Sequence, residues 1–183
     1  MSMDIPSQTI DKIDAAVRQL KLAIRLFFRR EDPIPIYTLT GAAHGILYDM
    51  AKAKGIKSVF INSELIRPEK REYVNKIFRN PQNFFKHADK DPENTIKFFP
   101  HIVPFYLLDA VLIYNQLTGV QFPELTTLYG WFSIKFPDIL DEGKMKDLFT
   151  EEVISTLELR YDLDPYDFEM FSEAIDALYR ANS

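Results

Sequence analysis

The feature that most limits the possible folds is a pair of apolar stripes in the first fifty-five residues. Both stripes recur at intervals of three and four residues, which places their side chains on one face of an α-helix. The first comprises Ile10, Ile13, Val17, Leu20, Ile24 and Phe27, and the second comprises Ile36, Leu39, Ala43, Ile46, Met50 and Ala53. Between them, Asp32 can cap a helix and Pro33 suits the first helical position, where no N–H is needed. We therefore predict a core hairpin of two antiparallel helices over residues 8–54.

The remainder of the chain also has helical patterns. Residues 103–118 are apolar nearly all round, which is typical of a helix buried at the centre of a bundle. Further helices are expected near residues 123–136, 150–159 and 165–179. No segment alternates between apolar and polar residues for long enough to form a paired strand. We predict an all-α fold in which residues 1–183 form a single-domain helical bundle, up-and-down in its N-terminal part, with extra helices in an acidic C-terminal part, residues 137–183.

The composition excludes several classes of protein. With 46% hydrophobic and 27% charged residues, the chain is too apolar to be intrinsically disordered. It has no cysteine, which excludes disulfides, thiolate metal sites and cysteine nucleophiles. No apolar run approaches the length of a membrane span, and the first residues lack the basic and apolar regions of a signal peptide. We expect a cytoplasmic protein with no membrane partner.

Charge is distributed unevenly along the chain. Lysine and arginine outnumber the acidic residues in residues 11–90, whereas acidic residues dominate residues 137–183. A polyanionic partner would have to meet the first part, because the acidic part would repel it. The simpler interpretation is that the two parts attract each other, within one subunit or across a dimer.

Candidate chemistry is concentrated between Arg79 and Asp91. If a helix persists through this segment, Asn83, His87 and Asp91 lie on one stripe, because each is four residues from the next. Asp91 would then orient His87 as a general acid or base. Arg79 or Lys86 would stabilise negative charge developing on a phosphate or carbonyl oxygen.

The alternative interpretation of the same segment is structural. Pro68 begins a helix that Asn80-Pro81 is expected to interrupt, since proline suits the first turn of a new helix. Asn83 and His87 would then satisfy backbone groups around this turn rather than bind a ligand. Both interpretations remain open from the sequence.

Asp109 is the one charged residue in the apolar helix predicted over residues 103–118. A lone buried carboxylate is costly unless it is paired. We therefore predict that Asp109 is buried and lies within ion-pair distance of Arg79, Lys86 or His87. His44, beside an apolar stripe, is expected to be a satisfied histidine on a helix face.

The helical hairpin, followed by Arg79-Asn80 and then by His87, resembles the HEPN superfamily of bacterial helical-bundle proteins. The resemblance covers about the first 115 residues. It implies an up-and-down bundle, often dimeric, with a metal-independent RNA-cleaving site in the dimer groove. In such a site Arg79 would hold phosphate and His87 would act as acid and base. In the family pattern, four to six residues separate the arginine from the histidine. The chain departs from this pattern, because seven residues separate Arg79 from His87 and Pro81 lies among them.

Three functions are compatible with the sequence. The favoured one is a non-catalytic binding or interaction module, acting as a homodimer with a protein or RNA partner, because little specific chemistry is visible. The second is a HEPN-type ribonuclease that uses Arg79 and His87. The third is a small-molecule or metal site around His87 and Asp91. Since no second pair of ligands has the same spacing, we expect no metal and no cofactor.

Overall fold

The computed structural model describes residues 6–89, 92–139 and 163–181. These residues contain six α-helices and one turn of 3-10 helix, and no strand is found among them. The helices are α1 (Lys12–Phe28), α2 (Pro33–Ala53), α3 (Pro68–Phe84), α4 (Val103–Thr118), α5 (Pro123–Lys135) and α6 (Phe168–Ala181), and the 3-10 turn spans Pro100–Ile102. The all-α fold class is therefore confirmed, and the helices pack as a bundle. The helix predicted near residues 150–159 lies outside the described residues.

The N-terminal hairpin forms as its apolar stripes predict. The Asp11 carboxylate caps α1 by accepting a 2.7 Å hydrogen bond from the Asp14 backbone N–H. Asp32 caps α2 in the same way, with a 2.8 Å bond from the Ile34 N–H, and Pro33 occupies the first helical position. The two helices pack against each other over most of their length. Ile10 does not belong to the buried stripe: it is 48% exposed, because α1 begins two residues later.

The central helix of the bundle is α4. Every residue from Val103 to Asn115 except Phe105 is buried, and α4 packs against α1, α2 and α5. Gly119 ends the helix in the left-handed conformation, with φ of 67°, which glycine adopts without steric cost. None of the described helices, α4 included, is long and apolar enough to cross a membrane.

The structure corrects one prediction about α3. This helix runs without a break from Pro68 to Phe84, so Pro81 lies inside it and does not begin a new helix. Proline lacks an N–H, which leaves the Ile77 carbonyl without its helical partner. The buried Tyr37 hydroxyl compensates: it donates to the Phe78 carbonyl at 2.9 Å and lies 3.4 Å from the Ile77 carbonyl. Burial raises the pKa of Tyr37, so its hydroxyl remains a donor.

Polar contacts attach α6 to the rest of the bundle. The Arg25 guanidinium on α1 bonds the buried Glu124 carboxylate at 2.7 Å and Asp176 of α6 at 3.0 Å. The Tyr179 hydroxyl donates to the other Glu124 oxygen at 2.9 Å. Asp176 belongs to the acidic part of the sequence and Arg25 to the basic part, so an ion pair joins the two parts within a single subunit. This pairing agrees with the simpler interpretation of the uneven charge.

Candidate functional site

A buried carboxylate joins α4 to α2 and to the segment that follows α2. Asp109 is 1% exposed, and its Oδ2 lies 2.8 Å from His44 Nε2 and accepts a 2.6 Å bond from the Ser58 hydroxyl. Its Oδ1 accepts a 2.8 Å bond from the Val59 backbone N–H. An ionised carboxylate only accepts hydrogen bonds, so the shared proton lies on Nε2. Three donors compensate for the removal of the carboxylate from water.

The prediction for Asp109 was therefore correct for its burial and wrong for its partner. No ion pair or hydrogen bond joins Asp109 to Arg79, Lys86 or His87, all of which the structure describes. The reason is the packing order. The face of α4 that carries Asp109 is covered by α2 and by the irregular segment of residues 54–67, so the nearest donors come from those elements.

The sequence places donors in this segment for a local reason. Ser58 is followed by a tight turn in which its hydroxyl oxygen accepts from the Ile61 N–H at 2.7 Å and from the Phe60 N–H at 3.2 Å. Its own hydrogen is then directed to Asp109. Irregular buried backbone must find hydrogen-bond partners outside a helix, and here Ser58 and Asp109 supply them.

A cavity of about 180 Å³ lies beside His44, between α2, α3 and α4. It is lined by His44, Gly45, Tyr48, Asp49, Ile61, Arg79, Gln82, Asn83 and Tyr106. The His44 ring is stacked against Tyr48 and tilted against Tyr106, with centroid distances of 5.6 and 4.9 Å. The histidine is therefore held both by its hydrogen bond and by two aromatic rings, and it forms part of the cavity wall.

Gln82 fixes the wall of the cavity opposite α2. Its Nε2 donates to the Gly41 carbonyl at 2.6 Å, and its Oε1 accepts from the Tyr106 hydroxyl at 2.9 Å. A Cβ at Gly41 would lie 2.8 Å from Gln82 Cγ and Cδ, so this approach requires glycine. Burial raises the pKa of Tyr106, and the nearby charge of Asp109 raises it further. The charge of Arg79 lowers this pKa, but by less. The Tyr106 hydroxyl therefore remains protonated and keeps this donor role.

A second, larger cavity of about 710 Å³ lies at the C-terminal end of α3. It is lined by Asn80, Asn83, Phe84, His87, Asp89, Asn94, Thr95 and Ile96, and we call it the polar groove. The His87 N–H bonds the Asn83 carbonyl at 3.2 Å, so one more helical turn follows the end of α3. Asn83 and His87 consequently line the same cavity, as their spacing of four residues predicts.

The other predicted site residues lie apart. Arg79 lines the smaller cavity and His87 lines the polar groove, and only Asn83 lines both. Lys86 lines neither, and burial of its ammonium lowers its pKa. Asp91 lies outside the described residues. The structure therefore does not gather these groups around one point of a single subunit.

Several residues of the smaller cavity were missed from the sequence. His44 was expected to be satisfied, and it is, but through Asp109 rather than through its own helix. The sequence did not indicate the roles of Gln82 and Tyr106, because these roles arise from contacts between α2, α3 and α4. One signal was available: His44 and Asp109 both interrupt apolar helix faces, and pairing the two buried polar residues satisfies both.

Comparison of the chain with protein-family models, with curated proteins and with solved structures found no match. The resemblance to the HEPN superfamily stays a prediction that depends on the helical hairpin, Arg79-Asn80 and His87.

Proposed function

We propose that this protein is a non-catalytic binding module and that its partner occupies the polar groove. The observation that carries the proposal is the lining of this cavity of about 710 Å³. Amide, hydroxyl, imidazole and carboxylate groups alternate there with the apolar side chains of Phe84 and Ile96. Binding sites commonly combine apolar surface with a few polar groups that fix the orientation of the ligand.

Among the lining residues that the structure describes, no pair is arranged for proton transfer. The His87 imidazole makes no hydrogen bond with any described residue, so no second group orients it as a catalytic base. No cysteine exists in the chain, and the one hydroxyl in the lining, Thr95, has no described basic partner. These features favour recognition over catalysis.

The chemistry of the groove fits a polypeptide partner. Asparagine side chains carry both donors and acceptors, which match the backbone amides of an extended peptide. The net charge of −5 and the carboxylate of Asp89 in the groove disfavour a large RNA footprint. We infer further that the protein is bacterial and cytoplasmic and that it acts as a homodimer.

Selection of peptides from a random displayed library tests this proposal. Asn94→Trp, which fills the groove, should abolish binding of the selected peptides. Lys97→Trp places the same bulky ring in the same exposed segment but outside the groove, and it should leave binding unchanged. Equal binding by the two variants, or the absence of any selected peptide, would contradict the proposal.

The second candidate is the HEPN-type ribonuclease. Arg79 favours it, because this residue makes no ion pair or hydrogen bond with any described residue and is available for phosphate. Incubation of the purified protein with total RNA distinguishes the two functions. We expect no cleavage by the wild type, by His87→Ala or by the matched control His101→Ala. Cleavage that is lost in His87→Ala and retained in His101→Ala would establish the ribonuclease instead.

A further inference from the structure

One histidine nitrogen in the wall of the smaller cavity makes no hydrogen bond within the described part of the chain. The His44 side chain is 4% exposed, and its Nε2 is used by Asp109. Its other ring nitrogen, Nδ1, makes no hydrogen bond with any described residue. A ring nitrogen in a cavity wall that makes no bond within the protein can bond a ligand or an ordered water.

The charges around the cavity define the ligand further. Arg79 is the one cation among the lining residues, and it has no carboxylate partner among the described residues. A guanidinium that is not paired offers a fork of N–H donors suited to phosphate or carboxylate oxygens. Asn83 adds an amide on the same helix, one turn from Arg79. This side of the cavity therefore attracts an oxyanion.

The opposite side of the cavity carries an acceptor. Asp49 is an exposed residue of α2, and its carboxylate accepts hydrogen bonds only. A fully ionised oxyanion would meet this carboxylate without a proton to give it. An oxyanion that keeps one hydroxyl group can bond both Arg79 and Asp49.

We propose that this cavity binds a phosphate group that retains a proton, either as inorganic phosphate or as a small phosphate monoester. Arg79 binds the anionic oxygens, Asn83 contributes an amide donor, and Asp49 accepts the P–OH hydrogen. His44 forms part of the cavity wall, and its bond to Asp109 fixes the orientation of its ring. This inference goes beyond the proposed peptide-binding function and uses a different cavity.

Calorimetric titration with inorganic phosphate, phenyl phosphate and sulfate tests the proposal, at about pH 5.5, because phosphate monoesters lose their second proton near pH 6 and keep it below that pH. Inorganic phosphate or phenyl phosphate should bind, and the stronger of the two identifies the source of the phosphate group. Sulfate, which has no proton to donate, should bind at least about tenfold more weakly.

Two variants assign the residues. Arg79→Gln should weaken phosphate binding by about 10- to 100-fold, because a charge-assisted bond is lost. Arg67→Gln makes the same change at the other end of α3, outside the cavity, and should have no effect. Asp49→Asn should allow sulfate to bind as well as phosphate. Both cavity positions are exposed, and circular dichroism confirms that the variants fold.

Three results would overturn the proposal: no phosphate binding at millimolar concentration, equal binding of sulfate and phosphate by the wild type, or equal effects of Arg79→Gln and Arg67→Gln. Peptide binding in the polar groove does not depend on any of them. Failure of the phosphate site and failure of the peptide site are therefore distinguishable.

Discussion

At Asp109, one carboxylate joins α4 to α2 and to the segment after α2, whose bonding residues lie 50 to 65 residues earlier in the sequence. It accepts hydrogen bonds from α2 through His44 and from the following segment through Ser58 and Val59. If the carboxylate is removed, these donors remain buried without an acceptor. A buried donor without an acceptor destabilises a protein by more than one satisfied hydrogen bond stabilises it. Truncation of the Asp109 side chain should therefore strongly lower the stability of the protein.

We predict that Asp109→Ala lowers the free energy of unfolding by at least about 3 kcal/mol, because three donors lose their buried acceptor and each loss costs about 1–3 kcal/mol. Urea denaturation followed by circular dichroism measures the change. Asp138→Ala, at an exposed position, is the control and should change the free energy by less than about 0.5 kcal/mol. A loss of less than about 1 kcal/mol for Asp109→Ala would contradict the structural role of this residue.

Two glycines of α2 form a matched pair. Replacing a helical glycine by alanine normally stabilises a protein by about 0.5–1 kcal/mol. Gly45→Ala should show this gain, because a Cβ there has no atom within 4 Å. Gly41→Ala should instead destabilise the protein by about 1–3 kcal/mol, because its Cβ would displace Gln82 and break the bonds to Tyr106 and to the Gly41 carbonyl. Thermal unfolding of both variants measures the sign, and a gain in both would show that Gln82 rearranges freely.

The residues of the site were only partly predictable from sequence. The burial of Asp109 follows from its position in an apolar helix, and pairing follows from the cost of burying a charge. The identity of the partner does not follow, because it depends on which segment covers that face of α4. His44 and Ser58 lie 65 and 51 residues away along the chain. Local patterns mark His44 as a polar residue on an apolar helix face, but they do not show which segment covers α4.

Among the elements, α3 shows how a tertiary contact overrides a local rule. Proline usually ends or interrupts a helix, and Pro81 was expected to do so. The helix continues because the hydroxyl of Tyr37, from α2, reaches the carbonyls of Ile77 and Phe78. The donor lies about forty residues earlier in the chain, so no window of local sequence could indicate it.

A double-mutant cycle tests this compensation. Tyr37→Phe should lower the free energy of unfolding by about 1–3 kcal/mol, because it removes the bond to the Phe78 carbonyl and leaves the Ile77 carbonyl without a donor. In a Pro81→Ala background, the substituted alanine supplies the missing N–H to the Ile77 carbonyl, so the loss of the Tyr37 hydroxyl should cost about 1 kcal/mol less. Chemical denaturation of the four proteins gives the coupling energy. Identical costs in both backgrounds would show that Tyr37 does not compensate for Pro81.

For the whole molecule, the periodicity of apolar residues was sufficient to predict the fold class. It indicated α1, α2, α4 and α5 because each buries a wide face against a neighbour. The attachment of α6 was less visible. It depends on the buried Glu124, which receives Arg25 from α1 and Tyr179 from α6. Burial alone would lower the pKa of Arg25. The hydrogen bonds of Arg25 to Glu124 and Asp176, together with the charges of these two residues, have a larger, opposite effect, so its pKa is raised.

Glu124→Gln should loosen α6 without unfolding the rest of the bundle. The neutral amide weakens the bond to Arg25, so we expect the free energy of unfolding to fall by about 1–3 kcal/mol. This loss is smaller than for a fully buried ion pair, because Arg25 is partly exposed. Amide hydrogen exchange should accelerate in α6 more than in α4. Glu173→Gln, an exposed position on α6, is the control. A uniform acceleration across all helices would contradict a local anchoring role.

The central claim is that the C-terminal half of α3 separates two binding sites, and two-dimensional amide NMR tests it most directly. Titration with a peptide selected against the polar groove should shift signals of residues 83–89 and 92–96. Titration with phosphate should shift signals of residues 44–49, 61, 79 and 83. Separate sets that meet only at Asn83 would agree with the two cavities. One common set of shifted signals, or no localised shifts with either ligand, would contradict the claim.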